Sequence, residues 1–267
     1  MPNWISRLLV AAVGIPVVLG LLYLGGWWLF GLVLAGSLVA LHEYYGMTRD
    51  LRPLVLAGYI GVAAALVGAE LGGIEWMLAG FLATFLIAFL LFLVATTRAP
   101  ATVSISGTIL GAAWIGFGLG SLILLRDLPE HGRLVSFTVV IAVWADDTAA
   151  YLVGRLVGRH KFSPALSPAK TWEGFVAGTL AAIAAAFFCL YDDRGTFLAI
   201  WEAVVLGAVV AVAAALGDLF ESALKRDADV KDSGRLLAGH GGVLDRIDAL
   251  LFAWVAAYYV VAAFGQL

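Results

Sequence analysis

Nine long apolar runs dominate the chain, at roughly 5–24, 27–41, 54–70, 75–95, 103–125, 134–157, 174–190, 196–222 and 249–265. About 20 apolar residues cross the hydrocarbon of a bilayer as a helix, which bonds every backbone polar group within its own span. No water-soluble arrangement accommodates so many such runs. Only 13% of the 267 residues are charged, against about 25% in an average soluble domain, too few to coat a compact fold of this size. The expected fold is therefore all-α: a polytopic integral membrane helical bundle of about nine transmembrane helices. An ordinary soluble enzyme is excluded. The single cysteine, Cys189, excludes an intramolecular disulfide or a cysteine-built metal site, and a net charge of −3 points to no nucleic-acid partner.

Orientation follows from the basic residues, which short loops keep on the cytoplasmic side. Arg7, Arg49, Arg52, Arg98, Arg155, Arg159, Lys161, Lys170, Lys225, Arg226, Lys231, Arg235 and Arg246 fall on one side of the alternating runs, and Arg126, Arg133 and Arg194 on the other. Thirteen against three places the N-terminus in the cytoplasm and the C-terminus outside. The first run is expected to be a retained helix, because it leads into Gly-Gly-Trp-Trp rather than a small-residue cleavage site. The second run is short for a span. Acids are also unequally spread: six lie before residue 140, Glu43 among them at a predicted helix end, and thirteen between 146 and 248. The chain thus reads as one membrane domain with a lipid-facing front half, 1–140, and a catalytic half, 141–267. The latter carries two cytoplasmic polar loops at about 158–173 and 223–248.

Asp146 and Asp147 interrupt the run 134–157. A carboxylate at membrane depth is costly unless it is paired or faces a polar cavity, so the two mark either a site or a packing pair with Arg155 or Arg159. Adjacent helical residues diverge by about 100°, so at most one is expected to point directly into a given site. Gly154 and Gly158 follow at a spacing that allows close helix contact. In the next loop Pro164 and Pro168 break helix, and Ser167 or Thr171 is placed to cap the following one, whose N-terminal N–H groups favour an anion. The same loop also reads as a plain solvated, positive-inside connection.

The densest constellation is 217–248. Asp218, Ser222 and Lys225 share one helix face, which begins in an apolar run and ends in cations. Arg226, Asp229, Lys231, Asp232 and Arg235 follow, then Gly239-His240-Gly241-Gly242 and Asp245-Arg246-Ile247-Asp248, whose aspartates sit one turn apart at the start of the next helix. Carboxylates gathered with Lys and Arg suit a metal–polyphosphate site, since hard Mg2+ takes one or two carboxylates plus phosphate oxygens and water. Cations and glycine amides then hold the remaining phosphate charge, Lys225 as a point charge and Arg226 as a fork, while His240 is placed to contact phosphate, to orient a carboxylate or simply to mark the turn. The alternative is a salt-bridged hairpin of mutually neutralising charges, which leaves the depth of Asp218 and the glycine-rich turn without a role.

The pattern Ser222, Lys225-Arg226, Lys231-Asp232, Gly234, Leu237, Gly239-His240-Gly241-Gly242, Asp245-Arg246 and Asp248 occupies 27 residues at fixed spacing. It resembles the signature of the phosphatidate cytidylyltransferase family, the CDP-diacylglycerol synthases. The stretches 150–161 and 167–174 are similar to that family too, so the likeness covers roughly 144–250. Ala238 stands where the family usually has proline. The resemblance implies transfer of a cytidylyl group from CTP to phosphatidic acid, giving CDP-diacylglycerol and pyrophosphate for phospholipid biosynthesis at a bacterial cell membrane, with the site facing the cytoplasm. It implies a divalent metal, Mg2+ with room for a second cation, on Asp218 and Asp245, supported by Asp248 and one of Asp146 or Asp147. Asp218, Lys225, Asp245 and Asp248 form the expected catalytic set. Ser222, Arg226, Lys231, His240, Gly241, Gly242, Arg246, Lys170 and Thr171 are the expected substrate contacts. Small-residue helix faces permit a homodimer. Two other classes meet some of the same features: a CTP-dependent lipid kinase of the polyprenol type, and an ion-coupled transporter using the membrane-depth acids.

Overall fold

A computed structural model describes residues 3–95, 99–234, 236 and 241–267, with the side chains of 3–11 excepted. Among these residues the secondary structure is nearly all α: α1 Asn3–Leu24, α2 Gly26–Met47, a 3-10 turn Arg49–Leu51, α3 Val55–Val94, α4 Ala101–Arg126, α5 Gly132–Val157, α6 Trp172–Leu190, α7 Ile200–Asp227 and α8 Leu244–Ala263. Seven of them, α2 to α8, are long and apolar enough to cross a membrane. Each of the nine apolar runs falls on helix, and α3 accounts for two of them. At Gly73 its backbone takes φ 71° and ψ −156°, a conformation essentially confined to glycine. The two halves then fold back antiparallel, so closely that a Cβ at Gly80 would lie 2.5 Å from the Ala64 carbonyl.

Two short strands depart from the all-helical expectation. β1 Lys161–Ser163 and β2 Ser167–Thr171 pair antiparallel, Lys161 opposite Thr171 and Ser163 opposite Ser167. Where the sequence predicted an irregular loop, the prolines end helix but leave a hairpin. Phe162 stacks on Phe175 with centroids 5.1 Å apart and meets Trp172 edge-on at 4.6 Å, which fastens the hairpin to α6. His160 adds a bond from Nδ1 to Glu173 at 2.7 Å.

The chain divides into two compact units. One comprises Met1–Leu124 and Asp227–Ile247, the other Leu125–Arg226 and Asp248–Leu267. In the first, α2 and α4 are tied by Tyr44 and Tyr45, whose hydroxyls donate to the Gly107 and Thr108 carbonyls at 3.1 Å. Buried hydroxyls need such partners. In the second, α5 and α6 pack antiparallel along their lengths. Gly154 lies where a Cβ would be 3.7 Å from the Cα of Gly174, so the small-residue spacing serves close helix contact. Phe220 on α7 meets Phe252 on α8 at 5.5 Å. Outward-facing side chains are apolar, with Leu156 80%, Val94 78% and Phe188 74% exposed. That pattern suits helices bathed in lipid.

Candidate active site

The second unit holds a cavity of about 540 Å3 whose walls include Asp146 and Asp147 of α5, Lys170 and Thr171 of β2 and Asp218 of α7. Each element delivers its residue for a local reason. Thr171 caps α6, its hydroxyl accepting from the Gly174 N–H at 3.1 Å, so the hairpin ends where the helix begins and Lys170 projects beside it. The Lys170 ammonium bridges to α7, 2.7 Å from Asp218 Oδ2 and 3.4 Å from the Ala215 carbonyl. Ser222 donates to Asp218 Oδ1 at 3.4 Å, one turn along α7 as their spacing predicts. Asp146 is 6% exposed, and its Oδ1 has no hydrogen-bond partner. A buried carboxylate oxygen in that state is costly and calls for a cation or donor supplied from elsewhere.

Both adjacent aspartates line this cavity, although the 100° rule allowed only one to point straight in. Asp146 is buried and Asp147 exposed. Arg155 and Lys161 line it as well. Further along α7, Lys225 is paired with Glu221 at 2.5 Å. Asp248 lies beside Glu221, near Asp218 and Lys225. Glu221 is fully buried, yet nothing in its sequence surroundings distinguished it from the more conspicuous Asp218. Arg226 is exposed at the end of α7.

In the first unit lies the glycine-rich turn, of which Gly241 and Gly242 are described; His240 and Arg235 lie outside the described residues. Gly241 has φ 80°. The Asp245 carboxylate accepts from the Gly242 N–H at 2.7 Å and from the Ser233 N–H at 3.0 Å. A second carboxylate, Glu43 of α2, accepts from Val243 N–H at 3.1 Å and Leu244 N–H at 2.8 Å. Lys231 and Arg246 are exposed. In the sequence Glu43 stands out only as an acid at a helix end, because nothing local links it to residues 200 positions away.

Residues 5–264 match the Cytidylyltransferase family. The chain belongs to that family. Among similar proteins, the phosphatidate cytidylyltransferase of Bacillus subtilis is 38% identical over 58% of this chain and 58% of its own length. That of Haemophilus influenzae is 42% identical over 47% of this chain and 44% of its own length. That of Mycobacterium tuberculosis is 34% identical over 94% of this chain and 79% of its own length. The chain thus matches about half the length of the first two relatives and most of the third.

A cytidylyltransferase has to manage a triphosphate, and the donor set here is suited to a hard divalent cation. The oxygens are carboxylate oxygens, and one of them, Asp146 Oδ1, is buried without a partner. Among the described residues no three Asp, Glu, His or Cys side chains gather closely enough to hold a metal by themselves. That is compatible with Mg2+, which is commonly held by one or two carboxylates and completed by phosphate oxygens and water.

Proposed function

We propose that this chain is a phosphatidate cytidylyltransferase, joining the cytidylyl group of CTP to phosphatidic acid and releasing pyrophosphate. The observation that carries this reading is the 540 Å3 cavity in which Asp146, Asp147 and Asp218 meet Lys170, Arg155 and Lys161, in a chain matched to the family almost end to end. A phosphate-oxygen of the lipid attacks the α-phosphorus of CTP; that O–P bond forms, the bond from the α-phosphorus to the bridging oxygen breaks, and pyrophosphate leaves with the electron pair. A phosphomonoester with a second pKa near 6 is already largely dianionic at neutral pH, so no strong base is required. The obstacle is repulsion among anions, and positioned cations remove it.

Within the cavity, Lys170 is held by Asp218 and reaches in from β2, where an incoming phosphate would compete for its ammonium. Arg155 and Lys161 add positive charge at the rim. One or two of Asp146, Asp147 and Asp218 would hold Mg2+, which when bound would supply Lewis-acid stabilisation of charge on the phosphoryl oxygens. Ser222 orients the Asp218 carboxylate through their 3.4 Å hydrogen bond. Lys225, with Glu221, and Asp248 extend the charged face of α7 and α8. Lys231, His240 and Arg246 stay proposed as substrate contacts from the signature, as does Asp245 as a metal-site residue.

Counting α3 twice, we read nine spans with the N-terminus in the cytoplasm, so that the hairpin with Lys170 and the loop with Lys231 face cytosolic CTP in a bacterial plasma membrane. The thirteen-to-three distribution of basic residues supports it. The test of function is direct. Purified protein in detergent, given CTP, phosphatidic acid and Mg2+, should form CDP-diacylglycerol detectable by mass spectrometry. No such lipid with any divalent cation would overturn the proposal.

A further inference from the structure

We infer that Glu43 is a positioning residue for the signature turn: it acts on the reaction through the start of α8, although it sits 200 residues away on α2. The inference rests on the proposed cytidylyl transfer. Its geometry is specific. Glu43 is 7% exposed, and its two oxygens take separate N–H groups, Oε1 from Val243 and Oε2 from Leu244. These are first-turn donors that no residue inside the helix can satisfy. A carboxylate there gains from charge-assisted hydrogen bonds and from the positive end of the helix dipole, which together offset its burial.

The turn is also shaped around this carboxylate. A Cβ at Gly242 would lie 2.5 Å from Glu43 Oε2, and one at Gly234 would collide with Oε1. Two glycines of the signature therefore leave space for one acid outside it. The Asp245 carboxylate completes the arrangement by taking the Gly242 and Ser233 N–H groups. Four successive constraints thus fix where the first turn of α8 starts and which way Asp245 points. Glu43 supplies two of them. Neither oxygen has a role if Glu43 is only a packing residue, for which a glutamine of the same shape would serve equally.

The test uses the full chain in detergent and three substitutions. Glu43→Gln keeps the shape and one acceptor but turns an NH2 toward the other N–H. It should speed hydrogen exchange at the backbone amides of 242–244 by about tenfold or more and lower kcat/KM for CTP by a similar factor, since one charge-assisted bond is worth about that much. Glu43→Asp keeps the charge and both acceptors on a shorter stem and should recover part of that loss, whereas a packing role alone would make it the worse of the two. His42→Ala, one residue away and bonded to the Tyr59 hydroxyl rather than to the turn, should stay close to wild type. Unchanged exchange in Glu43→Gln overturns the inference whatever the activity does. Faster exchange with unchanged kcat/KM for CTP overturns it as well. A wild-type chain that made no CDP-diacylglycerol would instead sink the proposed reaction, while the exchange measurement still judged whether Glu43 holds the turn.

Discussion

At the scale of residues, the proposed chemistry rests on a few carboxylates that differ in what they touch. Asp146 keeps an unpartnered oxygen, Asp218 is held by Lys170 and Ser222, and Asp245 and Glu43 are bonded to backbone N–H groups of a turn. In the proposed reaction the first two would meet a metal and a triphosphate in the second unit's cavity. Asp218→Asn removes the charge that holds Lys170 while keeping the size of the side chain. Product formation should fall by about a hundredfold or more, the scale expected for one electrostatic element of a phosphoryl-transfer site, with the melting temperature in detergent little changed. Near-normal turnover would remove Asp218 from the chemistry. The sequence made Asp146, Asp147 and Asp218 visible because acids in apolar runs need a reason to be there. It hid Glu43 and Glu221, whose reasons lie in partners: a distant turn for one, and Lys225 and Asp248 for the other.

At the scale of elements, two local features place those residues. The β1–β2 hairpin carries Lys170 to α7, and Thr171 joins it to α6 through the cap on Gly174. Thr171→Ala should cost about 1 kcal/mol, a typical N-cap loss, and should weaken CTP use beyond what that stability change explains, because Lys170 is the neighbouring residue. Equal kcat/KM in wild type and variant would separate the cap from the site. In the first unit, Gly73 lets α3 reverse. Gly73→Ala should destabilise the protein by about 1–3 kcal/mol, since its backbone conformation is nearly closed to other residues; an unchanged unfolding midpoint would contradict the helical reversal. The apolar periodicity revealed the helices because lipid imposes their length. The hairpin escaped it, since eleven residues with two prolines carry no period, and the aromatic contacts of Phe162 that fasten it are tertiary.

At the scale of the whole molecule, a chain that is 13% charged holds 23 of its 35 charges between 146 and 248. Apolar side chains such as Leu156 and Leu216 face outward on the same helices that carry Asp146 and Asp218 to the cavity, as expected for a reaction site set into lipid-adapted helices. The proposed orientation predicts that, with Cys189 replaced by alanine, a cysteine at Asp193 reacts with a membrane-impermeant thiol reagent in intact cells and one at Ala169 only after lysis. The reverse pattern would invert the topology. The central claim is the reaction itself, and the position of an isotope tests it most directly. CTP labelled at the α-phosphorus should transfer its label to the lipid when phosphatidic acid is supplied, while CTP labelled at the γ-phosphorus should deliver its label only to pyrophosphate. Label reaching the lipid from the γ-position, with CDP as the other product, would mark a kinase and contradict the account.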